Sequence, residues 1–95
     1  MVGITEDGDV PEDTIEQFRI AMASIDNCLR QAGSRPEQIV KVQIFLTDIS
    51  ERGAINVVRE EFFGAHRPAS TLLEVSALVD PRMKVEIEAV AYLGP

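Results

Sequence analysis

Apolar residues fall along this chain in two different rhythms, and the change of rhythm marks its elements. Ile15, Phe18, Met22, Ile25 and Leu29 recur at alternating steps of three and four, the spacing of a single buried stripe on an α-helix. Pro11 suits the first turn of that helix, Asp9 is its candidate N-cap, and Glu12, Asp13 and Glu16 complement the positive end of its dipole. Gly33 suits its C-terminal stop. After Ser34-Arg35-Pro36 the period shortens. Ile39–Leu46 is rich in β-branched residues, with Lys41 and Gln43 on alternate positions, which predicts a strand with one strongly buried face. A second helix is expected from a Ser50 cap to about Phe63, with Ile55, Val58, Phe62 and Phe63 facing inward and Gly64 ending it. Gly53 weakens its first turn by about 1 kcal/mol relative to alanine. Strands are expected around Ala69–Ser76 and Met83–Leu93.

The order is therefore helix, strand, helix, strand, strand. A strand–helix–strand unit implies a right-handed crossover if its strands pair in parallel. The last two strands, joined by Leu78-Val79-Asp80-Pro81, are expected to pair antiparallel. The predicted fold class is α+β, a two-layer sandwich with two helices on one face of a mixed β-sheet. Three strands leave two open edges, which invite pairing with another chain. A domain of this size buries roughly 60–65% of its unfolded surface and has little stability to spare.

With 95 residues and no linker, repeat or low-complexity segment, residues 1–95 read as a single domain. No apolar run approaches the roughly 20 residues needed to cross a bilayer, and no membrane association is expected. The opening MVGITEDGDVP has neither a basic region nor an apolar core, so no signal peptide is expected. One cysteine excludes an internal disulfide, and a cytoplasmic location is expected. The net charge of −7 repels polyanions, and the nine Lys and Arg residues form no dense block. A nucleic-acid partner is therefore not expected.

The stretch RPASTLLEVSALVDPRMKVEIEAVA, from Arg67 to Ala91, resembles the closing signature of the RidA family, the enamine/imine deaminases also called YjgF or L-PSP proteins. Other matching pieces are Gly8-Asp9-Val10-Pro11, Ala32-Gly33, the Val40–Asp48 segment, Asn56 followed by Phe62-Phe63, Pro68-Ala69 and Val85-Glu86-Ile87-Glu88-Ala89. From roughly Val2 to Ala91 the chain looks like the later three-quarters of such a protein. The resemblance implies a chorismate-mutase-like fold, a homotrimer, and small-molecule clefts between subunits. Relatives usually begin with two further strands carrying a site tyrosine and a Ser-Gly-Gln segment. The chain is thus expected to be N-terminally shortened or to manage with a smaller sheet.

Family members usually read Pro-Ala-Arg where this chain reads Pro68-Ala69-Ser70. The resemblance implies that the missing arginine grips the carboxylate of an imino acid, a task suited to a planar, bidentate guanidinium. Ser70 offers one hydroxyl and no charge. That loss should cost on the order of 2–4 kcal/mol of binding, roughly 30- to 1000-fold. By the same resemblance, Glu86 would be the catalytic carboxylate that orients a hydrolytic water or steadies the iminium. Asn56 would face the cleft from the second helix, and Leu72 would line it where several relatives carry cysteine. Each has a plainer reading. Lys84, Glu86 and Glu88 alternate with Val85, Ile87 and Ala89, as on any half-exposed strand. Asn56 would equally serve as a surface polar residue, and Leu72 as core.

Arg67, before a proline, reads as a solvated loop arginine, with Arg82 and Lys84 no better placed to replace the lost cation. Cys28, three residues from Ile25, reads as a small buried hydrophobe rather than a nucleophile. His66, the only histidine, has no clustered partner. There is no glycine-rich phosphate loop, Cys-x-x-Cys pair or Ser/His/Asp set, so no metal or cofactor is expected. Three functions remain: a RidA-like trimer whose altered cleft binds or hydrolyses a small neutral or differently charged substrate and is not a typical 2-imino acid deaminase, a non-catalytic trimeric binding or regulatory module, or an enzyme whose missing strands and arginine come from another polypeptide.

Overall fold

The computed structural model describes residues 1–94. Helix α1 spans Thr14–Gln31, strand β1 Ile39–Leu46, helix α2 Arg52–Phe63, strand β2 Ala69–Glu74 and strand β3 Val85–Ala91. Short 3-10 turns at Pro36–Gln38 and Ile49–Glu51 lead into β1 and α2.

The α1 stripe behaves as its spacing predicts. Phe18, Ala21, Met22 and Ile25 are buried, with Ile15 and Leu29 packed at the margins. The cap differs from expectation: Asp13, not Asp9, accepts the Glu16 N–H, so Pro11 lies before the helix. Asp9 instead closes a turn with Thr5, pairing backbone to backbone and donating its N–H to the Thr5 hydroxyl. At the other end Gly33 adopts φ +86°. Ser34 N–H reaches Leu29 O at 2.7 Å and Gly33 N–H reaches Arg30 O at 3.2 Å, the paired bonds of a Schellman stop. Cys28 is exposed. It shares the helix face of buried Ala21 and Gln17 but lies in the last turn of α1, beyond Ile25, the last buried residue of the helix.

Residue Ser50 does not cap α2 directly. Asp48 accepts from both the Ser50 N–H (3.0 Å) and hydroxyl (2.6 Å), starting the 3-10 turn that runs into the helix. Those two bonds hold the Asp48 carboxyl below its usual value. Gly64, at φ +60°, ends α2. Ile55 and Val58 are buried, while Phe62 and Phe63 pack edge-to-face at the core's margin.

The sheet order is β2-β1-β3. Strand β1 pairs parallel with β2 and antiparallel with β3, so the expected β2–β3 hairpin does not form. The reason is that β1 is the most apolar strand, with Ile39, Val42, Ile44 and Leu46 fully buried. A central position satisfies both of its hydrogen-bonding edges, and the segment Val75–Lys84 is long enough to step across two strand spacings of about 4.8 Å. The step is clamped to the end of β1, where Val75 N–H donates to Leu46 O (2.8 Å) and Thr47 N–H to Lys84 O (3.0 Å). Val40 forms a bulge in the β1–β3 ladder. Both helices lie on one face of this mixed sheet, the α+β two-layer arrangement expected.

Two buried amides tie the layers together. Gln17 on α1 donates to Pro11 O (2.7 Å) and Arg82 O (3.0 Å) and accepts from Lys84 N–H (2.8 Å). Gln38 donates to Gly94 O and accepts from the Ser34 hydroxyl, anchoring the residues after β3. Along the free edge of β3, Val2 bridges Glu86, and Gly3 sits so close to α1 that a Cβ would lie 2.3 Å from the Gln17 Cα.

Replacing Gln17 with alanine leaves three part-buried backbone groups without their side-chain partner, and urea unfolding should show a loss of about 3 kcal/mol. Cys28 in the folded protein should react fully with a disulfide-exchange reagent within minutes, without denaturant. A thiol silent until unfolding would place it in the core after all.

Candidate functional site

Strand parity decides where each candidate residue points. Ser70 pairs with Val42 and Leu72 with Ile44, so both side chains share the face that packs against the helices. Glu86 pairs with Phe45, one step out of phase, and faces the opposite side. Leu72 is half-buried and packs against the core, which matches its plainer reading. Asn56 sits half-buried on α2, and its amide makes no hydrogen bond among the described residues. Within one subunit the structure brings Ser70 and Leu72 to one side of the sheet and leaves Glu86 on the other.

Around Ser70 the chain builds a cleft of about 120 Å³. Its polar lining comes from Arg59, Glu60, His66, Arg67 and Ser70, and its apolar lining from Phe63 and Pro68. Arg59 extends from α2 and donates from Nη1 to the Ser70 hydroxyl at 2.7 Å. His66 is held by its Nε2 against Ile39 O at 2.7 Å and lies beside the Phe63 ring, 6.0 Å between centroids. Arg67 is exposed and donates to the carbonyls of Gly64 and His66. It is a loop arginine as expected, yet it forms part of the same cleft wall as Ser70.

The residue that sequence reasoning missed is Arg59. The available signal was spacing: Arg59 follows Asn56 by three, which puts both on neighbouring positions of one helix face. What the sequence could not show is that this face looks onto the edge strand at Ser70. The ion pairs among the described residues join Arg19 to Glu61, Arg30 to Asp26, Arg35 to Glu37 and Arg82 to Asp80. Arg59 and Arg67 take part in none of them, so the cleft carries two guanidinium charges offset by the single carboxylate of Glu60.

The other sheet face has a different character. Phe45, Leu73 and Val90 share it with Lys41, Gln43, Thr71, Glu86 and Glu88, and no helix of the described residues covers it. Leu73 and Val90 are 37% and 55% exposed. Among the described residues no helix is long and apolar enough to cross a membrane.

Comparison with known proteins agrees with this architecture. The family described as Endoribonuclease L-PSP matches residues 1–93. A 2-iminobutanoate/2-iminopropanoate deaminase of Capra hircus is 35% identical over 86 residues, covering 90% of this chain and 62% of that protein. A RutC family protein of Pyrococcus abyssi is 35% identical over 83 residues, covering 87% of this chain and 65% of its own length. The chain thus spans less than two thirds of these curated relatives. Among solved structures, a Mycobacterium tuberculosis member of the YjgF/YER057c/UK114 family superposes with a TM-score of 0.85 at 38% identity, over 87% of this chain and 70% of its own. A Rid family protein of Yersinia pestis gives 0.91 at 37% identity, over 96% and 74%.

Proposed function

This chain belongs to the L-PSP family, with relatives named as imine deaminases, and on that footing we propose that it holds a small molecule in a cleft completed by a second copy of itself. The observation that carries the reading is the division of Ser70 and Leu72 from Glu86 across the sheet. One subunit cannot gather them around one ligand. Apposing the open sheet face of one copy to the β2 edge of another can, and exposed Leu73 and Val90 supply apolar area for that contact. The fold that the family resemblance implies closes such contacts into a homotrimer.

In this reading Glu86 of one copy accepts a hydrogen bond from water and aims it at the carbon of a C=N bond. The water oxygen becomes the carbonyl oxygen and the nitrogen leaves as ammonia. Asn56 and Leu72 contribute a polar and an apolar wall. Position 70 itself lacks a charge, so a short 2-imino acid loses the grip that fixes its carboxylate close to the strand. The substrate is then a differently shaped imine or related small molecule, rather than a typical 2-imino acid. A net charge of −7 argues against a nucleic-acid partner, despite the word endoribonuclease in the family's description. An exposed, unpaired Cys28 suits a reducing compartment such as the cytoplasm.

Sedimentation equilibrium should give three times the 10.5 kDa protomer mass, and a clean monomer would remove the shared cleft. With freshly generated 2-aminoacrylate, ammonia should appear no faster than in buffer. Robust protein-dependent release would overturn the substrate assignment. Turnover of no imine at all, with ligand binding retained, would mark the protein as a binding module.

A further inference from the structure

The charge that position 70 lacks has an occupant from another element. Arg59 reaches from α2 to the Ser70 hydroxyl at 2.7 Å, Arg67 lines the same cleft, and neither guanidinium is paired with a carboxylate among the described residues. We infer that Arg59, aimed by Ser70 and seconded by Arg67, is the specificity-determining residue of this protein and binds a small organic carboxylate in the cleft between α2 and β2. The inference rests on the small-molecule reading above and says which group recognises the ligand's charge.

The chemistry fits in three respects. A guanidinium carries five donors, and the bond to Ser70 engages only one of them. The serine hydroxyl accepts that bond and keeps its own proton to offer. A volume of about 120 Å³ has room for a carboxylate and the first atoms beyond it. Phe63 and Pro68 provide an apolar wall beside it, which lowers the local dielectric and strengthens a charge-assisted hydrogen bond. Glu60 is exposed and lines the same cleft. It opposes anion binding but leaves two cations against one carboxylate.

On this placement the cation does not stand in for a strand arginine. A side chain on β2 would present its guanidinium from the strand itself. Arg59 presents it from α2 with one donor spent on the Ser70 hydroxyl, so the donors left for a ligand lie beyond the guanidinium rather than against β2. The ligand's charged end is therefore held across the cleft from β2. The favoured ligand is a carboxylate with a spacer before its reactive carbon, not a 2-imino acid whose two groups are adjacent.

The test titrates the intact protein with 2-oxobutanoate, with 5-oxohexanoate as a longer keto acid, and with the neutral amide of each, followed by amide chemical shifts. Wild type should bind the longer carboxylate at least about tenfold more tightly than its amide, and more tightly than 2-oxobutanoate. Arg59→Gln should erase the preference for carboxylate over amide, Arg59→Lys should keep part of it, and Ser70→Ala should weaken it severalfold by releasing the guanidinium. Arg35→Gln, on an exposed residue paired with Glu37 away from the cleft, should change nothing. Arg59→Lys keeps the charge and covers the case in which Arg59→Gln fails to fold. If Arg59→Gln or Arg59→Lys binds carboxylates as wild type does, Arg59 is not the recognising group and only this inference falls. Equal binding of carboxylate and amide by wild type has the same consequence, as does tighter binding of the shorter acid for the spacer. Binding of none of the four probes overturns this inference together with the small-molecule reading.

Discussion

Everything in this fold is hung on β1, among the described residues the one strand that is hydrogen-bonded to a strand along both edges and buried along one face. Ile39, Val42, Ile44 and Leu46 are all essentially inaccessible to water, and each buried aliphatic side chain contributes about 1.5–3 kcal/mol relative to exposure. No neighbour can be shifted by one residue without turning that face to solvent. The register of β2 and β3 against β1 follows, and with it the side of the sheet to which each candidate on a strand is assigned.

That assignment is arithmetic of strand parity. Ser70 opposes Val42, and Glu86 opposes Phe45, three positions further along β1. An odd separation puts the two on opposite faces. A cleft using both would draw them from different copies, so the proposed assembly follows from the register, independently of how much apolar surface the open face exposes. The same parity turns Ser70 toward α2, where it meets Arg59.

Polar ties set the geometry that the apolar core leaves loose. A hydrophobic core is tolerant of sliding, whereas the Gln17 amide is satisfied only when Pro11, Arg82 and Lys84 converge on it. The 82–84 segment and the start of β3 are thereby held to α1, which keeps Glu86 at a fixed station. The Gln38 and Ser34 side chains do the same for the residues following β3. Such buried, fully partnered amides contribute less to net stability than to the choice of one arrangement among several.

Local chemistry was legible from the amino-acid order alone. The three-four rhythm of Ile15 to Leu29 placed α1, Gly33 and Gly64 placed the two helix ends, and the β-branched run placed β1 with its inward face. The resemblance that sets Ser70 where an arginine is expected was read from the same residues. These properties depend on neighbours within a few residues, where propensity and periodicity act. Cap choice between Asp9 and Asp13, the exposure of Cys28, the insertion of β1 between β2 and β3, and the meeting of Arg59 with Ser70 were decided only in three dimensions. Each depends on which strand wins the centre of the sheet or on how the helices settle over it. That competition is among long-range contacts, and no local pattern encodes its outcome.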